Sequence, residues 1–232
     1  MPPGSLFPVS QTLPYGELVA ANGLSDSHRA IIAEVPPGSR VLDVGCATGY
    51  LAAELNNRGC AVAGVEPDPV AAAVAREHVD PLIEGDVEGA ELWPALEAIG
   101  PFDVVICGDV LEHLRNPWRT LDQLAALLRP GGLAIISVPN IAHWTARRES
   151  ILGRFDYQQW GIFDHTHLRF FTRATAHALV QSAGLTVESE HPIGAPLPLQ
   201  SRVAPLARLA PRALAARPTL FALQYVLVGR RA

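Results

Sequence analysis

Apolar residues in this chain fall into two alternating textures. The segments 40–46, 61–66, 102–107 and 133–138 are nearly continuous runs of Val, Leu, Ile, Ala and Cys. Such runs fit strands covered on both faces. Between them lie segments with helical spacing or helix-forming composition, at 25–34, 49–58, 69–77, 92–98 and 117–128. In the last of these Leu121, Leu124, Leu127 and Leu128 share a face. A weak strand at 82–85, a helix at 173–183 and strands at 185–190 and 220–228 complete the series. Local chemistry sets the ends. Ser25 and Thr172 are placed to cap helices, and Pro69 suits a first helical turn, where its missing N–H costs little. Pro130-Gly131-Gly132 is expected to stop the helix at 117–128 before a fifth strand at 133. The polar alternation in 220–228 fits an antiparallel strand at or near an edge. Alternating strands and helices predict an α/β fold, a Rossmann-like three-layer sandwich around a mostly parallel sheet.

Three stretches interrupt this rhythm. Residues 1–23 are rich in proline and glycine and read as a loose arm. With the helix after it, read as a lid, the arm makes an N-terminal unit at 1–35 ahead of a main domain at 36–232. Residues 140–171 are too long for an ordinary connection. They hold His143, His165, His167, Trp144, Tyr157 and Trp160, and predict a lid or substrate-binding insertion. Residues 192–218 are rich in Pro, Ala and Arg. They read as an irregular surface excursion with a short basic amphipathic helix, Leu206, Leu209 and Leu214 on one side and Arg202, Arg208, Arg212 and Arg217 nearby. A dimer contact or a membrane-surface patch is the alternative.

Bulk properties narrow the classes. The chain has 232 residues, 49% of them hydrophobic, enough for the core of one domain. A net charge of -5 and a pI near 5.9 favour no polyanion, so nucleic acid is not an expected partner. No apolar run reaches the roughly 18 residues of a membrane span. The N-terminus lacks the basic-then-apolar pattern of a signal peptide. Cys46, Cys60 and Cys107 are odd in number, lie in apolar or glycine-rich segments and lack metal spacing. They read as buried thiols in a reducing cytoplasm. A cytoplasmic monomer or homodimer is the expectation.

The chemistry concentrates at two points. Residues Val41 to Gly49 read V-L-D-V-G-C-A-T-G, and Gly64 to Asp68 read G-V-E-P-D, with one helix between. A strand ending at Asp43, a turn of small residues and an acid at the end of the next strand form the nucleotide-cradling half of a doubly wound unit. Glu66 is placed to accept hydrogen bonds from a ribose.

Here the chain resembles the class I S-adenosylmethionine-dependent methyltransferases, and within them the small-molecule subgroup acting on ubiquinone precursors, sugars and other metabolites. D-V-G-C-A-T-G replaces the dinucleotide G-x-G-x-x-G form, F-D-V-V-I-C-G-D-V-L-E-H-L begins at Phe102, and L-L-R-P-G-G-L begins at Leu127. The resemblance covers roughly residues 30–230. It implies a seven-stranded sheet of order 3-2-1-4-5-7-6, S-adenosylmethionine as methyl donor and S-adenosylhomocysteine as product. It also implies that Asp43, Gly45, Cys46, Ala47 and Gly49 form the cofactor loop, with Ala47 where many members have glycine. Glu66 would hold both ribose hydroxyls, with Pro67 and Asp68 beside the ribose and adenine. Asp86 would meet the adenine amino group and Val87 the ring, while Gly108, Asp109 and Val110 line the methyl-donor side.

The acceptor side follows from the same resemblance and from residue chemistry. A methyl on a sulfonium is already activated, so the protein need only align a nucleophile and exclude water. An alcohol or phenol also calls for a base. His165 and His167 in F-D-H-T-H-L-R-F-F are the candidates, His165 slightly favoured with Asp164 or Asp109 as partner. In an extended segment the two would share the pocket; in a turn only one would. His113, Asn140, Trp144, Tyr157, Trp160 and Phe163, with Phe155, are candidate acceptor contacts, and Arg147, Arg148 and Arg154 add positive charge. His143, His165 and His167 lack tight ligand spacing, so no metal is assigned. Oxygen on a metabolite, sugar or natural-product scaffold is the expected acceptor atom, with N- or C-methylation or a non-catalytic cofactor-binding protein as alternatives.

Overall fold

In a computed structural model, residues 23–194 and 204–232 are described, together with Val19. The arm expected at 1–23 therefore lies almost wholly outside the described residues. From Asp26 the chain runs α1 (Asp26–Glu34), β1 (Arg40–Val44), α2 (Tyr50–Asn56), β2 (Ala61–Glu66), α3 (Pro69–Ala75), β3 (Leu82–Glu84), α4 (Trp93–Ile99) and β4 (Phe102–Gly108). It continues with α5 (Pro117–Ala126), β5 (Leu128–Pro139), α6 (Trp144–Ile151), α7 (Arg173–Ser182), β6 (Leu185–Gly194), α8 (Ala204–Ala216), α9 (Pro218–Phe221) and β7 (Ala222–Arg231). Single 3₁₀ turns precede α4 and follow β4.

The sheet has seven strands in the order β3-β2-β1-β4-β5-β7-β6. Strands β1 to β5 are parallel, and β7 inserts antiparallel between β5 and β6. Helices cover both faces, which is why the central strands are apolar throughout. Ile31 of α1 and Leu51 and Leu55 of α2 pack on one face; Leu121 and Leu124 of α5 and Leu179 and Val180 of α7 pack on the other. The helix expected as a lid is built into this core, with Ile31 and Val35 fully buried. The direction of winding reverses between β1 and β4, which opens a crevice at their carboxyl ends.

The caps act as their chemistry dictates. Ser25 accepts from the His28 N–H, Asp68 from the Val70 N–H and Thr172 from the Thr175 N–H. Two boundaries differ from expectation. The helix before β5 ends at Ala126, and β5 runs through Pro130-Gly131-Gly132, not from 133. Leu128 pairs with Phe102, the register shifts, and pairing resumes at Leu133 with Val104. Gly131, at φ 76, absorbs the irregularity. Strand β6 continues to Gly194, because β7 offers a ladder as far as Ala222, and so takes the first residues of the predicted 192–218 excursion. Much of the remainder is helical. Leu214 of α8 docks 3.0 Å from where a Gly194 Cβ would sit, while Arg212 and Arg217 are exposed. Arg202 and the side chains of Leu206, Arg208 and Leu209 lie outside the described residues.

Candidate active site

Pairing β1 with both β2 and β4 places three loops side by side at the carboxyl edge: 43–49, 66–68 and 108–110. The first loop turns on positive φ values at Gly45 (69°), Ala47 (48°) and Gly49 (78°). A Cβ on Gly45 would lie 2.7 Å from Val110 Cγ2, and one on Gly49 would lie 3.2 Å from the Ala75 Cα. Gly64 is needed for a similar reason, since a Cβ there would meet Val79 and the Cys46 sulfur within 3 Å. Ala47 adopts the left-handed conformation despite its methyl group, at about 1–2 kcal/mol. Its N–H donates to Glu66 Oε2 at 2.8 Å, and this bond holds the strained turn.

Glu66 is buried at the end of β2, where its other oxygen accepts from the Asp68 N–H at 2.9 Å. Each carboxylate oxygen keeps a second lone pair, and burial pushes its pKa up. Asp43 is buried beneath the loop. Its Oδ2 has no partner, and its pKa is pushed up to about 7 by burial and by the nearby Glu66 charge. Cys46 and Cys107 are buried thiols whose pKa values burial also raises. They are inert packing groups.

The loop after β4 is fixed from below. Asp109, at φ 55, donates its N–H to Ser137 Oγ at 2.9 Å, and the Ser137 hydroxyl donates back to Asp109 Oδ1 at 2.9 Å. The Gln224 amide donates to the same oxygen. Burial raises the Asp109 pKa, and these two bonds oppose the shift. Ser137 and Gln224 were not foreseen as site residues; the signal for Ser137 is a lone polar residue inside an apolar strand. Asp86 is exposed and caps its own turn, with Oδ1 accepting from the Glu88 N–H at 2.9 Å. Val87 is buried in the core, and Pro67 is exposed beside Glu66.

A turn at 165–166 lies between the two candidate bases. The His165 Nδ1 lies 3.5 Å from Asp164 Oδ1 and 3.4 Å from the Gln158 carbonyl. His167 is buried. Its Nδ1 lies 3.3 Å from the Ile162 carbonyl, and its ring meets His113 edge-on at 4.8 Å. Thr166 bridges the two groups. Its hydroxyl donates to Asp164 Oδ1 at 2.6 Å and lies 3.0 Å from His113 Nδ1. Burial, and then the His167 ring, lower the His113 pKa to about 4. Burial also lowers His167 and His143.

Glu112, which the sequence reading passed over, lies with His113 and His167. Their candidate ligand atoms are within 4.8 Å of one another, the one such trio of His, Cys, Asp or Glu found among the described residues. His143, considered earlier with the other loop histidines, instead caps α6, its Nδ1 2.7 Å from Thr145 Oγ1.

The expected acceptor contacts divide sharply. Asn140 is not one of them. It is fully buried, its NH₂ donates to the Thr219 and Ala222 carbonyls at 3.0 and 2.8 Å, and its carbonyl oxygen accepts from the Ala142 N–H at 3.0 Å. Both donors and one acceptor position of its amide are used, pinning the end of β5 to α9 and to the start of β7. Phe163 is also buried, packed with Ala146 and Ile162. Trp144 is half-buried at the start of α6, with the Arg148 guanidinium 5.8 Å from its ring, and Trp160 is likewise half-buried. Tyr157 is 57% exposed. Phe155 is the hub, contacting Phe163, Tyr157 and Phe170 at 4.8, 5.7 and 5.6 Å.

A methyltransferase-domain family matches residues 20–190. The chain belongs to this family. Over 128 residues it is 37% identical to an uncharacterized methyltransferase of Mycobacterium sp. (strain KMS), covering 53% of this chain and 48% of that one. Over 158 residues it is 31% identical to the ubiquinone biosynthesis O-methyltransferase of Aeromonas salmonicida, covering 65% and 64%. The matched stretches thus span about half to two thirds of these relatives. The fold matches a methyltransferase structure from Thermotoga maritima, titled a possible histamine N-methyltransferase, with a TM-score of 0.64 and 17% identity over 95% of this chain and 96% of that one. It also matches magnesium protoporphyrin IX methyltransferase from Synechocystis, solved with bound SAH, with a TM-score of 0.59 and 16% identity over 99% and 90%. Among the described residues no helix is long and apolar enough to cross a membrane.

Proposed function

We propose that this methyltransferase-family protein transfers a methyl group from S-adenosylmethionine to a small-molecule acceptor, with oxygen the favoured acceptor atom. The observation that carries the reading is Glu66. It is a buried carboxylate, locked by two backbone N–H groups, with lone pairs left over at the strand end where a ribose diol would lie. Asp43 supports it through a buried, unpartnered oxygen beneath the same loop. Two buried acids suit a ligand bearing hydroxyls and positive charge and repel a pyrophosphate, which disfavours a dinucleotide. When bound, S-adenosylmethionine supplies a methyl group already activated on a sulfonium.

In this reading the 43–49 loop and Glu66 hold the nucleoside, and Asp86 and Val87 border the adenine. Gly108, Asp109 and Val110 border the methyl-donor side. His165 takes the acceptor proton, and the Asp164 carboxylate 3.5 Å from its Nδ1 orients the ring. The O-methyltransferases among the relatives support oxygen as the acceptor atom. Calorimetric titration with S-adenosylhomocysteine and with NAD tests the cofactor: S-adenosylhomocysteine binds wild type and binds Glu66→Ala about 10³-fold more weakly. Binding of NAD in its place overturns the reading. Incubating metabolite extracts with a labelled methyl donor, then locating the label by mass spectrometry, tests the acceptor atom. Label on nitrogen or carbon overturns the preference for oxygen, and no label on any small molecule overturns catalysis.

A further inference from the structure

We propose that Glu112, His113 and His167 form a binding site for one divalent transition-metal ion such as zinc. The inference goes beyond the methyltransferase reading. The site directly follows the 108–110 loop in the chain but uses none of the side chains assigned to the cofactor.

The three side chains come from two stretches that the backbone ties together. Glu112 and His113 occupy the 3₁₀ turn after β4. His167 comes from the insertion, and its neighbours Leu168 and Arg169 donate their N–H groups to the Glu112 carbonyl at 2.8 and 2.9 Å. Glu112 is 1% exposed, and neither carboxylate oxygen has a hydrogen-bond partner. Natural interiors seldom leave both oxygens of a buried carboxyl unmatched. Neither protonation form is satisfied here: the ionised group lacks a donor, and the neutral one lacks an acceptor for its proton. Yet one donor atom from each of Glu112, His113 and His167 lies within 4.8 Å of the other two. The groups converge while neither imidazole donates to the carboxylate. Ligands about 2.1 Å from a tetrahedral ion stand about 3.4 Å apart, so closing on an ion moves each side chain by less than about 1 Å.

The surrounding contacts set both rings in the tautomer a metal needs. The His113 Nδ1 lies 3.3 Å from the Thr166 carbonyl and 3.0 Å from the Thr166 hydroxyl oxygen, whose own proton goes to Asp164. The His167 Nδ1 lies 3.3 Å from the Ile162 carbonyl. These oxygens accept, so each Nδ1 carries the ring proton and each Nε2 keeps its lone pair. Metal-binding imidazoles are held in this way: the nitrogen away from the ion donates to a carbonyl or carboxylate, which fixes the tautomer and the ring.

The donor set selects the ion. Magnesium and calcium take oxygen ligands and would leave both rings unused. Two imidazoles and one carboxylate suit zinc and its first-row neighbours. Three protein ligands leave the fourth position of a tetrahedral ion open to water or to an acceptor oxygen. The charges of Asp109 and Asp164 also act on Glu112, so the surroundings are negative and attract a cation. Sequence spacing hides the site because its ligands lie in two separate motifs. The other loop histidines stand outside it, His143 capping α6 and His165 beside Asp164.

The probe is ZnCl₂, titrated by calorimetry into untagged protein that has been stripped with EDTA and returned to a non-chelating buffer. The expected result is one equivalent bound by wild type. Affinity falls at least about tenfold in Glu112→Gln and in His167→Gln, and is unchanged in His78→Gln, which alters an exposed histidine elsewhere. MgCl₂ at the same concentration neither binds nor displaces zinc. S-adenosylhomocysteine binds both site variants as it binds wild type; that binding, measured separately, distinguishes failure of this site from failure of the methyltransferase reading. No zinc binding, zinc binding that survives both site substitutions, or equal binding of MgCl₂ overturns the proposal. Should the site variants fail to fold, anomalous diffraction from wild-type crystals soaked in ZnCl₂ decides in their place. A peak among the three side chains upholds the site, and its absence there overturns it.

Discussion

The cofactor edge and the acceptor edge of this sheet are built on opposite terms. At the cofactor edge the backbone makes the site. Gly45, Ala47 and Gly49 hold left-handed turns, and both oxygens of Glu66 are tied to main-chain N–H groups. At the acceptor edge side chains make the site, on a 32-residue insertion that leaves Ile151, Leu152, Phe155 and Tyr157 exposed and Glu112 without a partner. The contrast teaches that an edge built from backbone is set by local sequence, whereas one built from side chains depends on which distant stretches fold over it.

If that contrast holds, the largest effect belongs to Glu66→Ala. Its loss removes two charge-assisted bonds to a ribose, about 10³-fold in S-adenosylhomocysteine affinity by titration calorimetry. The sequence alone predicts little loss of fold. The structure corrects that view, because the same side chain anchors Ala47 and Asp68, so the variant also unfolds at about 2 kcal/mol lower stability in urea. Unchanged affinity removes the ribose role.

Next comes His165→Gln, which separates the two edges cleanly. Turnover falls about 10²-fold or more, as for loss of a general base, with S-adenosylhomocysteine affinity unchanged. Equal turnover would leave positioning as the whole contribution of the insertion. Asn140→Ala is weaker and of a different kind. Three hydrogen bonds are lost from a fully buried amide, for about 2–3 kcal/mol of stability in chemical denaturation. A surface acceptor contact would show no such loss.

The cofactor edge was legible because its geometry is written into backbone chemistry. Only small residues fit the turn at 45–49, and an apolar run ending in Glu66 sets that acid at a strand end whatever packs around it. The strand order followed from the family resemblance and holds. The acceptor edge was legible only as a composition of aromatics and histidines. Whether His165 and His167 share a pocket depends on one turn at 165–166, and Asn140 looks the same in sequence whether it faces solvent or pins two strands. Glu112 was missed because a charged residue in a D-V-L-E-H-L run reads as a turn acid; only the return of the chain at 167–169 buries it.

The smallest effect tests how far the backbone-built edge waits for its ligand. Asp43 titrates near pH 7 in the folded protein, against 3.8 for the free side chain, because burial and the nearby Glu66 disfavour its charge. A carboxyl whose folded pKa is raised contributes stability that is full below the unfolded pKa and lost as pH rises through the folded one. Ligand-free protein therefore loses stability from about pH 4 to about pH 7, and the raised pKa values of Glu66 and Asp109 act in the same direction. Asp43→Asn is neutral throughout, so its Tm falls less over that range than that of wild type. Bound S-adenosylmethionine places positive charge near this acid, so saturating cofactor flattens the wild-type profile toward that of the variant. Parallel profiles for the two proteins without ligand would mean that Asp43 is already ionised beneath the loop, and that the cofactor edge is finished before anything binds.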